Sequence, residues 1–321
     1  MLHTKPLLAK GVLHNRKMLT QSQFSQIQFS AVLNSYTMFY NVAKAINFVD
    51  NATVQLSADG VKVVVEDCKT VQATAYITKA CFSEYEIAQP RKRKSTAMDG
   101  EDHETADDNE PLTSFGLNLK VFTDCLSMFM DGDYDSTMKM LYKGDGAPLV
   151  VILERRCEDE LITECSVKTM EALEILDYDF EEDQVCSKVS IKGQDFFALL
   201  SEMDRNCREV ELFISPDAPH FKFSTFDELG SESSFEITNS SDMLISFHST
   251  ETTTNRYQFA HFKLVMKTLA LASKIALRTN KDGLVGLQVM IENSESSNIF
   301  VEYFVMPLCD GDANDTAISC D

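Results

Sequence analysis

The stretch AVLNSYTMFYNVAKAIN (31–47), with NATVQLSADGVKVVVEDCKTVQATAYITK (51–79) behind it, sets the pattern on which the whole chain is read. Val32, Tyr36, Phe39, Ala43 and Ile46 recur at helical spacing, which predicts a helix over 31–47 with one apolar stripe. Asn34, Thr37, Asn41 and Lys44 fall on the opposite face. The alternation that follows predicts strands at 53–58, 61–66 and 70–77. Asp59-Gly60 joins the first two, a dipeptide suited to a tight hairpin turn.

The same order returns along the chain. A strand at 112–119 leads into a helix at 120–130, striped by Phe122, Leu126 and Phe129, then strands at 137–142, 148–154 and 161–168. A third unit has a strand at 184–191, a helix at 193–204 and strands at 210–215, 220–225 and 233–238. The fourth has a strand at 256–259, a helix at 260–271 and strands at 273–279, 284–291 and 298–305. Gly144-Asp145-Gly146, the turn at 215–219 and Lys281-Asp282-Gly283 occupy the place of Asp59-Gly60. A repeat of pattern without identity predicts an α+β fold, two similar domains each built of two β-α-β-β-β units. The expected boundaries are an N-terminal extension (1–19), a first domain (20–168), a connector (169–180), a second domain (181–308) and an acidic tail (309–321). The polar, charged segment 89–111 interrupts the first domain and is unstructured by composition.

Composition narrows the function. No apolar run is long enough to span a membrane, and the N-terminus lacks the apolar core of a secretory signal, so an intracellular protein is expected. The nine cysteines are odd in number and irregular in spacing, with no Cys-x-x-Cys pair. Cys68, Cys81, Cys125 and Cys165 read as reduced, packed thiols. A net charge of −21 opposes a protein that grips nucleic acid by neutralising phosphates. It leaves open one that holds DNA by encirclement.

Catalysis finds little support. A metal-dependent nuclease needs several carboxylates converging on one or two cations. Asp131, Asp133 and Asp135, the pair Asp177 and Asp179, and the run 181–183 supply acidic groups, all in expected turns or connectors. The run from Asp131 fails as a calcium loop, because Ser136 stands where glycine is needed and Tyr142 where the closing glutamate belongs. There is no His-Glu-x-x-His pair, Gly-x-Ser-x-Gly elbow or phosphate loop. The expectation is a binding protein without cofactor or metal. A metal-dependent nuclease is the alternative, and an acidic adaptor is a third reading.

Several segments carry a family resemblance. GLNLKVFTDCLSMF (116–129) resembles the strand-to-helix segment of the eukaryotic sliding clamps. GVKVVVE (60–66), VQATAYI (71–77), SPDAP (215–219) running into FSTF (223–226), NRY (255–257), RT (278–279) and FVEY (300–303) resemble the Rad-one subunits of the nine-one-one checkpoint clamp. The resemblance covers about 22–307 and lies in order along both halves. It implies a heterotrimeric ring with Rad-nine-like and Hus-one-like subunits. A dedicated clamp loader would place that ring around DNA without regard to sequence, where it recruits checkpoint and repair proteins in the nucleus. Against this stand a metal-dependent 3′–5′ DNA exonuclease, the alternative the family also raises, and an acidic adaptor that forms no ring.

It also implies roles for residues. Helices would line the channel, with Lys44, Arg205, Lys263 and Lys267 facing phosphates. Asp124, Ser127, Ala198 and Ser201 depart from the lysine-rich pattern of the replicative clamp, so this subunit should hold DNA weakly. Subunits would join through two strand edges, Leu161, Ile162, Thr163, Glu164, Cys165, Ser166 and Val167 on one and Ser233, Ser234, Phe235, Glu236 and Ile237 on the other. Leu173, Ile175, Leu176 and Tyr178 would border the surface where clients dock. Independently of the resemblance, Arg91, Lys92, Arg93 and Lys94 form a basic cluster that reads as a nuclear localisation signal.

Overall fold

Alternation of period two builds most of the molecule. A computed structural model describes residues 27–88, 111–128, 130, 136–155, 161–180, 184–203, 206–227, 232–292 and 297–308. The first half contains β1 (Phe29–Leu33), α1 (Thr37–Ala45), β2 (Asn51–Leu56), β3 (Gly60–Asp67), β4 (Val71–Thr78) and β5 (Glu84–Ile87). It continues with β6 (Thr113–Asn118), α2 (Leu119–Ser127), β7 (Ser136–Tyr142), β8 (Leu149–Arg155), β9 (Leu161–Val167) and β10 (Thr169–Met170). The second half contains β11 (Val185–Lys192), α3 (Gly193–Glu202), β12 (Glu209–Ile214), β13 (Phe221–Phe226), β14 (Glu232–Ile237) and β15 (Leu244–Ser249). It ends with β16 (Thr253–Gln258), α4 (Phe259–Leu269), β17 (Lys274–Asn280), β18 (Val285–Glu292) and β19 (Asn298–Val305).

The strand order exposes the repeat. One sheet runs β5-β1-β7-β8-β9, another β14-β13-β12-β16, and a ten-stranded sheet runs β10-β6-β2-β3-β4-β19-β18-β17-β11-β15. Each unit lends its first strand to its sister unit: β1 pairs with β7, β6 with β2, β11 with β17 and β16 with β12. The two halves then fuse where β4 and β19 pair antiparallel, from Tyr76 opposite Phe300 to Val71 opposite Val305.

One expected element changes. The helix predicted from residue 31 begins at Thr37, and Ala31 to Leu33 belong to β1. Phe29, Ala31 and Leu33 are buried in alternation, a strand pattern that Val32 obscured by falling four residues before Tyr36. At the β2–β3 turn, Gly60 has φ 150°, and a Cβ there would lie 2.2 Å from the Ile77 carbonyl oxygen. Only glycine fits that turn.

Helices cover one face. Phe39, Phe122, Phe196 and Phe262 anchor them in the core. Asn118 caps α2 by accepting the Val121 N–H at 2.9 Å, and the buried Tyr36 hydroxyl donates to the Leu126 carbonyl at 3.1 Å, tying α1 to the end of α2. Across the seam between halves, α4 approaches α1, and its buried His261 feels Asp67 at the end of β3. Burial holds the His261 imidazole below its ordinary pKa, with Asp67 opposing. The unfolded chain therefore binds a proton more readily, so this contribution to stability is present above the unfolded value near 6.5 and is lost as pH falls toward the depressed folded value. His261→Gln should flatten the loss of stability on acidification below that value, measured by urea unfolding at a series of pH values. An unchanged slope would refute the assignment.

Candidate functional site

Two surfaces and two edges follow from this architecture. The first surface is the outward arc of the helices. α1 packs on α2, α3 packs on α4, and α1 meets α4, so the four described helices form one layer. Burial of Phe259, Phe262, Val265 and Leu269 turns Ala260, Lys263 and Lys267 of α4 outward. In α1, burial of Phe39, Val42 and Ala43 turns Thr37 and Lys44 outward. Lys44 Nζ lies 5.5 Å from the Tyr40 ring and Lys263 Nζ 5.0 Å from the Phe259 ring, so both cations lean on their own helix. Lys44 and Lys267 occupy last turns, where the helix dipole favours a cation. Asp124, Ala198 and Ser201 are exposed on their helices, and Ser127 is half-buried. Arg205 lies outside the described residues, as do Arg91, Lys92, Arg93 and Lys94.

The charge balance of this layer differs from that of the chain. The helices carry Lys44, Lys120, Lys263 and Lys267 against Asp124, Asp195 and Glu202, whereas the whole protein stands at −21. The acidity is concentrated away from the helices.

The two edges are β9 and β14. Each ends its sheet, with β8 the only described partner of β9 and β13 the only one of β14. Leu161 and Ile162 on β9 are 48% and 55% exposed. Val121 on α2 and Met128 at its C-terminal cap are 48% and 47% exposed, and α2 packs beside β9. Sequence reading passed over these two because they interrupt the polar side of a helix, and an apolar residue there is the signal that could have found them. Ser233, Ser234 and Glu236 are exposed on β14, while Ile237 is buried.

The chain contains its own example of how such edges join. β6-β2-β3-β4 is the counterpart of β16-β12-β13-β14, and β1-β7-β8-β9 that of β11-β17-β18-β19. The internal β4–β19 pair therefore unites one edge of the β14 kind with one of the β9 kind.

The second surface carries the connector across the outer face of the ten-stranded sheet. Thr169–Met170 form β10 on the sheet edge, and the strap begins beyond them. Thr53 Oγ1 accepts the Leu173 N–H at 3.2 Å, and the Leu176 N–H donates to Glu66 Oε2 at 3.2 Å. The Gln72 amide donates to the Leu176 carbonyl at 2.8 Å, and the Tyr178 hydroxyl to the Lys69 carbonyl at 2.9 Å. Phe180 anchors the far end, with its ring 5.6 Å from that of Phe304 and 5.0 Å from the Arg278 guanidinium carbon. Gly286 makes room for it: a Cβ there would meet the ring at 2.4 Å. Arg278 pairs with Glu302, whose carboxyl burial pushes above its ordinary pKa while Arg278 opposes the shift. This backbone anchoring leaves Leu173 and Leu176 exposed and Ile175 and Tyr178 half-buried.

Among the described residues, no three His, Cys, Asp or Glu side chains are grouped so as to hold a metal ion. Asp131, Asp133, Asp135 and the run 181–183 lie outside the described residues. No described helix is long and apolar enough to cross a membrane.

Comparison with known proteins places this arrangement. Human cell cycle checkpoint protein RAD1 is 32% identical over 290 residues, covering 89% of this chain and 94% of its own. The DNA repair protein Rad1 of Drosophila melanogaster is 28% identical, covering 91% and 98%. More distantly, the DNA repair exonuclease REC1 of Mycosarcoma maydis is 19% identical, covering 63% of this chain and 67% of its own. The family model described as repair protein Rad1/Rec1/Rad17 matches residues 28–291. With its repeated units in an α+β clamp fold and that match across most of its length, the chain belongs to the Rad1/Rec1/Rad17 repair-protein family.

Proposed function

We propose that this protein is a non-catalytic subunit of a heterotrimeric DNA-damage checkpoint clamp, which encircles DNA and presents a platform for signalling and repair. The observation that carries the reading is the β4–β19 junction beside two open edges of the same two kinds. A contact already made within the chain can repeat between chains, β14 of one against β9 of the next. Two different edges meeting head to tail generate a closed ring when the rotation permits. The other members are a Rad-nine-like and a Hus-one-like subunit, loaded by a dedicated clamp loader. Action on DNA places the complex in the nucleus, with 91–94 as its signal.

The helix layer then faces DNA. Lys263 and Lys267 supply two sequence-independent phosphate contacts, Lys44 a third and Arg205 a fourth. Topological linkage removes the need for many such contacts, which fits a layer only slightly more basic than neutral. On the outer surface, Leu173, Ile175, Leu176 and Tyr178 present apolar groups on a strap fixed by its backbone, suited to client docking.

The deciding experiment is co-expression with Rad-nine-like and Hus-one-like subunits, followed by mass determination in solution. A single 1:1:1 species is expected, and a monomer indifferent to both partners would overturn the reading. The REC1 relative's name motivates the exonuclease alternative. Release of nucleotides from a 3′-labelled duplex in magnesium, lost on replacing a carboxylate, would establish it instead. In the assembled ring, Lys263→Glu with Lys267→Glu should shorten retention on nicked circular DNA by about tenfold while sparing assembly. Unchanged retention would remove both lysines from the channel.

A further inference from the structure

The outer face of the second half brings together cations of which several form no ion pair among the described residues. Lys188 on β11 stands directly opposite Arg278 on β17 and His248 on β15, and Lys192 on β11 stands opposite Lys274 on β17. Lys188, Lys192 and His248 are exposed, and Lys274 is half-buried. Like charges directly opposite on a sheet are destabilising. The neighbouring sheet does the reverse: Arg256 opposes Glu211 at 3.1 Å, and Lys222 opposes Glu236. Glu302 neutralises Arg278, but among the described residues Lys188, Lys192 and Lys274 form no ion pair. Same-sign rows in a chain of net charge −21 call for an anionic occupant.

The patch adjoins an open strand. β15 ends the ten-stranded sheet and pairs only with β11 among the described residues, leaving a row of backbone groups on its far side. Ile245, at the irregularity in this pairing, is 50% exposed. We infer that the β15 edge and the cations beside it bind an extended acidic segment of a protein partner, which adds as a further strand. Its backbone pairs with β15, and its alternate carboxylates lie on the outer face toward His248, Lys188 and Lys192.

Three observations select this occupant. An unpaired strand edge is satisfied by polypeptide backbone and not by nucleic acid. The chain's net charge repels a long polyanion, whereas a short segment brings few charges. A second copy docked through the same edge would bring its own His248 and Lys188 against this set, a like-charge contact that costs affinity. The site lies on the outer sheet face, away from the helix layer, so it is separate from the channel and stands independently of ring closure.

The test uses the full chain and a fluorescent ten-residue peptide of alternating glutamate and threonine, with its lysine–threonine counterpart as control. Anisotropy should show binding of the acidic peptide alone. Lys188→Glu with Lys192→Glu should weaken it at least ~10-fold. N-methylation of the peptide at alternate positions should weaken it as much when the methylated face is the one that pairs. The double variant should melt no lower than the parent, because it removes two same-sign pairs. Binding indifferent to both changes would overturn the inference. So would tighter binding of a twenty-residue oligothymidine, which assigns the patch to nucleic acid, or a concentration-dependent dimer that the peptide dissolves, which assigns the edge to a second copy.

Discussion

Replacing Leu161 and Ile162 together by aspartate is expected to leave a folded chain that no longer enters the 1:1:1 assembly. Both side chains sit on the terminal strand of their sheet at 48% and 55% exposure, so neither substitution opens a cavity in the core. Burying such side chains against a neighbour contributes about 1.5–3 kcal/mol each. Losing one of that size alone weakens association by roughly tenfold to a hundredfold. Aspartate adds the cost of an unpaired carboxylate in the contact, so the double variant should lose assembly at working concentrations. The isolated chain should melt within a few degrees of the parent, and mass in solution should show it as a monomer beside the unassembled partners. Retained 1:1:1 assembly would exclude β9 as a joining edge. The same experiment with Val121→Asp and Met128→Asp asks whether α2 shares the contact, as its exposed apolar groups suggest.

Phe180→Ala should release the connector. The ring is 6% exposed and packs with Phe304 and Leu284 in a small cluster set apart from the main core. Truncating a buried phenylalanine typically costs ~3–5 kcal/mol. Here the loss is local, because the cluster holds the end of a strap and not a sheet. Residues 173–178 would keep their hydrogen bonds to Thr53, Gln72, Glu66 and Lys69, several of them at the surface, and the stacking of Tyr178 on Phe304. Exchange of the Leu173 and Leu176 amides should accelerate by about a hundredfold or more, with strand amides of β18 and β19 nearly unchanged. Unchanged exchange at Leu176 would mean that these contacts alone hold the strap. Client binding through Leu173 and Leu176 should weaken in parallel, since a mobile strap must be ordered again on docking.

Periodicity carried far. The four helices lie close to where the sequence pattern placed them and the four turns where the turn residues did, although Phe129 of the second stripe lies outside the described residues; a buried face leaves a repeat of 3.6 or 2 in any sequence. It failed at Val32, where a strand and a helix meet and one residue suits both periods. It also missed β5 and β15. Glu84–Ile87 is short and half charged, and Leu244–Ser249 lies at a sheet edge with its apolar residues only partly buried, so neither leaves a strong alternation. Val121 and Met128 were passed over for a related reason: an exposed apolar residue on the polar side of a helix looks like an error in its pattern.

By itself, the sequence determined most of the elements, their order and the fourfold repeat, since these follow from local preference and from which residues avoid water. It also carried the family signature and the placement of Lys263 and Lys267 on one helix face, four residues apart. The exchange of first strands between sister units and the fusion of two halves through β4 and β19 were decided only by tertiary structure. So were the open edges of β9, β14 and β15, and the bringing together of Lys188 with Arg278, and of Lys192 with Lys274, from distant parts of the chain. Pairing depends on which edges meet in space. Many strand partners offer the same backbone hydrogen bonds, and only the packing of whole faces selects among them.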